Sequence, residues 1–161
     1  MSKIRILGVD PGYAIVGFGI LDYDGLRFTP VEYGAVLTEA HTPFPERLKA
    51  IHTDIEFIFG KYSPDCMAVE KLFFTTNQKT AIDVAQARGV TVLSAADRGI
   101  PVFEYTPLQV KSAVVGYGKA EKQQVMEMTR QLLGLAQIPK PDDAADALAV
   151  AICHGHSTRW G

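Results

Sequence analysis

The chain is poor in cysteine, in long apolar runs and in net charge, and each shortage removes a class of protein. Its two cysteines, Cys66 and Cys153, both lie inside apolar segments. Cysteine in that setting is a small buried hydrophobe, so a disulfide-stapled secreted scaffold is excluded and a reducing compartment is expected. No apolar stretch is long enough to cross a bilayer, and Met1-Ser2-Lys3 leads straight into a strand-like run with no signal-type segment. A cytoplasmic protein with no membrane partner is therefore expected. A formal net charge of −2 rules out a uniformly basic nucleic-acid binder. Internal repeats and low-complexity segments are also missing. With 47% apolar content, 161 residues suffice for one well-buried core and are too few for two ordinary domains, so residues 1–161 read as a single domain.

The small net charge hides an asymmetry. Between Lys71 and Arg130 there are eight Lys and Arg against five Asp and Glu, while the remainder carries eight against thirteen. A modestly basic middle beside an acidic cluster suits a polyanion held close to carboxylates that bind metal.

Residues 4–9, 15–22 and 27–37 read as three consecutive strands, the last two joined through the tight-turn signature Asp22-Tyr23-Asp24-Gly25. Phe44, Leu48, Ile51, Ile55, Ile58 and Tyr62 recur at helical spacing. The strand Cys66-Met67-Ala68-Val69-Glu70 follows, and the crossover through that helix makes it a parallel neighbour of the first. A helix over 78–96 places Ile82, Ala85, Gly89, Val92 and Ala96 on one face, with Ala81, Val84 and Leu93 beside it. Such a face belongs either to a central core helix or to a helix that also meets a second subunit. A fifth strand covers 101–105, and helices follow from Pro107 through Val114, over 119–133, and from Pro141 to His154.

Three acidic sites stand in unusual places. Asp10 closes the apolar run Ile4-Arg5-Ile6-Leu7-Gly8-Val9 and is followed by Pro11-Gly12, while Gly17 and Gly19 mark backbone that something approaches closely. Glu70 closes the second apolar strand, and Asp142-Asp143-Ala144-Ala145-Asp146 opens the apolar last helix. Carboxylates gathered at one sheet edge repel one another, and the usual reason to keep them together is a hard divalent cation with oxygen ligands. Asp146 can share a helix face with Asp143 at a spacing of three or with Asp142 at four, so helical geometry leaves both open. His154 and His156 near the end of that helix would complement its dipole as imidazolium.

The order β-β-β-α-β-α-β-α-α-α, with acids after strands one and four and on the final helix, resembles the ribonuclease H-like fold: α/β, a five-stranded mixed sheet with helices on both faces. More narrowly, the chain resembles the RuvC family of Holliday-junction resolvases. The resemblance is carried by Leu7-Gly8-Val9-Asp10-Pro11-Gly12, Val69-Glu70-Lys71-Leu72-Phe73, Gln86-Ala87-Arg88-Gly89-Val90, Pro101-Val102-Phe103-Glu104-Tyr105, Val110-Lys111-Ser112-Ala113-Val114-Val115-Gly116, Ala120-Glu121-Lys122 and Asp143-Ala144-Ala145-Asp146-Ala147-Leu148-Ala149. These span almost the whole chain in the family's order.

The resemblance implies that Asp10, Glu70, Asp143 and Asp146 hold two Mg²⁺ ions, for which Mn²⁺ can substitute, with Asp10 bridging them. It implies hydrolysis without a covalent enzyme intermediate, leaving 5′-phosphate and 3′-hydroxyl ends. Lys111 and Lys122 would contact the scissile or neighbouring phosphates, Lys122 as part of the catalytic set, and Phe73 would probe bases at the junction. The implied substrate is a four-way DNA junction nicked symmetrically during recombination and repair. The implied partners are a second copy of the chain and the RuvA and RuvB branch-migration proteins. Competing readings are an RNA-directed nuclease of the YqgF group, an actin-like or sugar-kinase phosphotransferase, which needs two such domains, and a junction-binding module without catalysis, which would not need all four acids.

Overall fold

Alternation along the first strand decides the architecture. In a computed structural model that describes residues 2–12, 14–71 and 78–158, strand β1 (Ile4–Pro11) sends Leu7 and Val9 to one side of the sheet and Ile6 to the other. Both sides of the strand are therefore apolar and both need cover. It is the middle strand of five, in the order β3-β2-β1-β4-β5. β2 (Ile15–Tyr23) and β3 (Phe28–Leu37) run antiparallel to their neighbours, while β4 (Cys66–Glu70) and β5 (Val102–Tyr105) add in parallel. The expected mixed sheet, its hairpin and its crossover are all present.

One face carries α1 (Phe44–Tyr62) and α2 (Gln78–Asp97), the other α3 (Pro107–Val115), α4 (Lys122–Leu133) and α5 (Asp142–Ser157). Ile51, Ile55 and Phe59 of α1 pack with Leu7, Val9, Val16 and Met67, whereas Leu148 and Ile152 of α5 pack with Ile6, Leu21 and Ala68. Each fully buried aliphatic chain of this kind contributes roughly 1.5–3 kcal/mol. Among the described residues no helix is long and apolar enough to cross a membrane.

Two details differ from expectation. α4 starts at Lys122 rather than Lys119, because Glu121 stands at its N-cap and the Glu121 N–H donates to Gln124 Oε1 at 2.8 Å. α2 buries Ala87, Thr91, Ser94 and Ala95 and leaves Ile82 and Leu93 55% and 59% exposed. Its inward side is the narrow, small one, with the Thr91 and Ser94 hydroxyls donating back to the Ala87 and Val90 carbonyls within the helix. The broad apolar surface over 78–96 thus faces outward in the single chain.

Candidate active site

Alternation that buries Ile6 on the α5 side also places Asp10 there, and the same period on β4 takes Cys66 and Ala68 to Glu70. Val9 pairs with Val69 in parallel register, so the two carboxylates follow side by side at the C-terminal ends of adjacent strands. Opposite Asp10 on β2 is Gly17. A side chain there would collide with the Asp143 carbonyl, and one at Gly8 would collide with the Ala147 carbonyl. These two glycines let the first turns of α5 lie directly on the strands, which brings Asp143 and Asp146 to the acids of the sheet.

The sequence left Asp142 and Asp143 open, and the geometry separates them. Asp143 and Asp146 both act electrostatically on Asp10. Asp142, with a side chain 71% exposed, turns outward. Lys122, the first residue of α4, stands between the groups, its Nζ 3.6 Å from Asp146 Oδ2 and 3.9 Å from Asp142 Oδ2. Lys111 on α3 and Lys122 both stabilise the ionised form of Glu70. Together Glu70, Lys111, Lys122 and Asp146 form the polar rim of a cavity of about 260 Å³ floored by Pro107, Val110 and Val125. Phe73, expected to meet the junction, and its neighbour Phe74 lie outside the described residues.

Electrostatics show how crowded the acids are. Burial first, then repulsion from Asp146, Asp143 and Glu70, pushes the Asp10 carboxyl up to about 8. Asp10 and Asp146 are joined by a side-chain hydrogen bond that raises the first and lowers the second, so the proton belongs to Asp10 and Asp146 accepts it. Burial also raises Asp146 and Glu70, opposed by Lys122 and, at Glu70, by Lys111. Among the described residues no three His, Cys, Asp or Glu side chains converge tightly enough to hold an ion as they stand. The proton on Asp10 and the Lys122 ammonium each offset part of this repulsion. The donor set is all oxygen, hard and anionic, and fits a divalent cation that would displace the proton of Asp10.

Several supporting residues escaped the sequence reading. Thr106 and Gln109 form a reciprocal cap at the start of α3, and the Ser/Thr-x-x-Glu/Gln spacing signals it directly. With the Glu121 cap, it fixes where Lys111 and Lys122 leave their helices. Tyr105, paired in register with Glu70, places its hydroxyl 2.6 Å from His154 Nδ1, and Phe103 stacks on the same ring at 4.4 Å. His154 is buried, and that burial lowers its pKa. It is a neutral ring that ties α5 to β5 rather than the imidazolium that a helix end would favour.

Known proteins resemble this chain in sequence and fold. The family model for crossover junction endodeoxyribonuclease RuvC matches residues 6–154. The crossover junction endodeoxyribonuclease RuvC of Alkaliphilus oremlandii is 57% identical over 152 residues, 94% of this chain and 93% of the relative. That of Desulfitobacterium hafniense is 59% identical over 152 residues, 94% and 92% of the two chains. A solved structure of T. thermophilus RuvC in complex with Holliday junction substrate aligns with a TM-score of 0.91 at 35% identity, covering 95% of this chain and 93% of that one. The yeast mitochondrial Holliday junction resolvase Ydc2, 12% identical with a TM-score of 0.68, shares the fold. With its acids on β1, β4 and α5 and a match that runs nearly from end to end, this chain belongs to the RuvC family of crossover junction endodeoxyribonucleases.

Proposed function

We propose that Asp10, Glu70, Asp143 and Asp146 together hold two Mg²⁺ ions with which the chain hydrolyses one phosphodiester in each of two strands of a four-way DNA junction. The protein is a crossover junction endodeoxyribonuclease that resolves Holliday junctions, as its family membership and the likeness to a junction-bound relative support. The family's nucleases depend on a metal. The observation that carries the site assignment is Asp10, a carboxyl held protonated up to about 8 by burial and by three neighbouring acids. A divalent cation would relieve that crowding with all the acids ionised.

Bound divalent ions supply a water of lowered pKa and stabilise charge on the departing oxygen. The protein residues do the positioning. Asp10, fixed within the sheet, anchors the set, while Glu70 and the two α5 acids approach it from either side. Lys122 and Lys111, which offset the acids without DNA, are placed to turn toward phosphate oxygens when ions take over that task. With water attacking the phosphorus and the 3′ oxygen leaving and taking up a proton, the expected products are a 5′-phosphate and a 3′-hydroxyl that a ligase rejoins.

Paired nicking of a nearly two-fold substrate calls for a two-fold enzyme. The outward apolar side of α2, with Ile82 and Leu93 at 55% and 59% exposure, is the surface we assign to a second copy. Family membership supports action alongside RuvA and RuvB and a cytoplasmic location. The test is incubation with Mg²⁺ and either a four-way junction or a linear duplex of the same sequence. Symmetric, ligatable nicks confined to the junction, lost in EDTA and in Asp10→Asn with binding retained, are expected. Cutting of the duplex at equal rate, or wild-type cutting by Asp10→Asn, would overturn the proposal.

A further inference from the structure

The sheet edge farthest from β5 is open beyond Pro30. β3 is an outer strand, and its segment Val31-Glu32-Tyr33-Gly34-Ala35-Val36-Leu37 contains neither proline nor lysine, the residues that usually blunt such an edge. The Tyr33 N–H donates 3.0 Å to Glu32 Oε1, its own neighbour's side chain, so this amide points out of the sheet. The register from Tyr33 to Leu37 against β2 is unbroken. By the alternation of an antiparallel ladder, the backbone groups of Ala35 and Leu37 face outward as well. Among the described residues, no backbone group in this segment bonds to backbone other than that of β2.

Beside that edge runs an apolar groove of about 400 Å³ between β3 and α1, with walls of Phe18, Val36, Leu37, Phe57 and Ile58. Leu37 and Phe57 are 70% and 64% exposed. Among the described residues that line it, the charged ones are acids, Glu32 on the strand and Asp54 on the helix. The face of Phe57 accepts an ammonium already, since Lys61 Nζ lies 5.8 Å from its ring centroid. Unpaired strand, apolar trough and acidic rim are three parts of one recognition site, and none belongs to the acid cluster.

We infer that the β3 edge is a docking site for an extended segment of another protein. That segment adds a strand beside Val31–Leu37, seats bulky apolar side chains in the Phe57 groove, and sets Lys or Arg against Glu32 and Asp54. Backbone bonds would supply affinity, and the two carboxylates would select a basic segment over an acidic one. The site lies at the opposite sheet edge from β5 and is separate from the outward side of α2, so each copy in a dimer would present one.

The probe is a blocked seven-residue peptide of alternating leucine and lysine, titrated into the ¹⁵N-labelled chain. Expected are saturable shifts confined to residues 31–37 and 54–62, slowed amide exchange at Ala35 and Leu37, and no binding of the matching leucine–glutamate peptide. Glu32→Lys with Asp54→Lys should weaken binding at least tenfold, and so should Phe57→Ala, which removes a mostly exposed ring and leaves the core intact. Both variants should cut junctions at the normal rate, which verifies their folding. Failure to saturate at millimolar peptide, equal binding of the acidic peptide, unchanged affinity in the variants, or shifts centred on Glu70 and Lys122 would each overturn the inference. So would peptide-free self-association through this edge, abolished by Ala35→Pro, because the occupant would then be a second copy.

Discussion

Replacing Asp10 by Asn should make the metal-free protein more stable. Asp10 titrates at about 8 in the folded chain against a reference value of 3.8. Between those values the folded state holds a proton that the unfolded state has released, so stability falls as pH rises, and the full penalty is present above about pH 8. Roughly four units at about 1.4 kcal/mol each set a ceiling near 6 kcal/mol. Because Asp146 shares the proton and both side chains can relax toward solvent, about 2–4 kcal/mol is the expected gain for Asp10→Asn at pH 8. The Asn amide can still donate to Asp146, so shape and hydrogen bond survive. The assay is urea unfolding in EDTA at pH 6.5 and pH 8. Wild type should lose stability over that interval while Asp10→Asn stays level, and Mg²⁺ should restore wild type but not the variant. Starting at 6.5 avoids the opposing loss expected below that value from His154, whose folded-state pKa is lowered by burial. A variant no more stable than wild type at pH 8 in EDTA would refute the claim that the acids repel one another.

Gly17→Val should cost about 3 kcal/mol or more, because the new side chain meets the Asp143 backbone; calorimetry should show the melting temperature down by roughly 6–12 °C. Lys122→Ala should slow single-turnover cleavage by about 10²-fold and flatten the salt dependence of junction binding by about one phosphate contact, and unchanged values would return Lys122 to the solvent-exposed surface. His154→Phe, which keeps an aromatic against Phe103, should abolish the loss of stability that wild type shows from this group as pH drops below about 6.5, read by parallel unfolding curves at pH 5 and 7. Leu93→Glu should leave the fold intact and halve the mass seen in sedimentation, since Leu93 is exposed in the single chain.

The pairing of β2 with β3 and of β1 with β4 was legible from a tight turn and a helical crossover, and the meeting of Asp10 with Glu70 from period-two patterns. Ile6-Leu7-Gly8-Val9-Asp10 and Met67-Ala68-Val69-Glu70 each count down to an acid on the same face. Helical spacing alone does not choose between Asp142 and Asp143, since three-residue and four-residue spacings serve a helix equally well; the resemblance implies Asp143, and Gly8 and Gly17, on strands more than a hundred residues away, let α5 lie close enough for it to act on Asp10. Whether the apolar side of α2 faces the core or a second subunit stayed open for a related reason. Apolar content says that a surface wants cover without saying whether the same chain supplies it, and here Thr91 and Ser94 went inside because their hydroxyls are satisfied within the helix. His154 shows the same limit: its position near a helix end suggested charge, but Phe103 and Tyr105 surround it with rings.

Asp10 belongs to the strand that has hydrogen-bonded neighbours on both flanks. A backbone clamped from left and right cannot swing away to idle the catalyst between encounters, as a loop could, even though the carboxyl it carries can rotate. Restraint against cutting ordinary duplex must then be exercised elsewhere, in whether a bent and branched substrate can bring a phosphate down to an anchor that never moves.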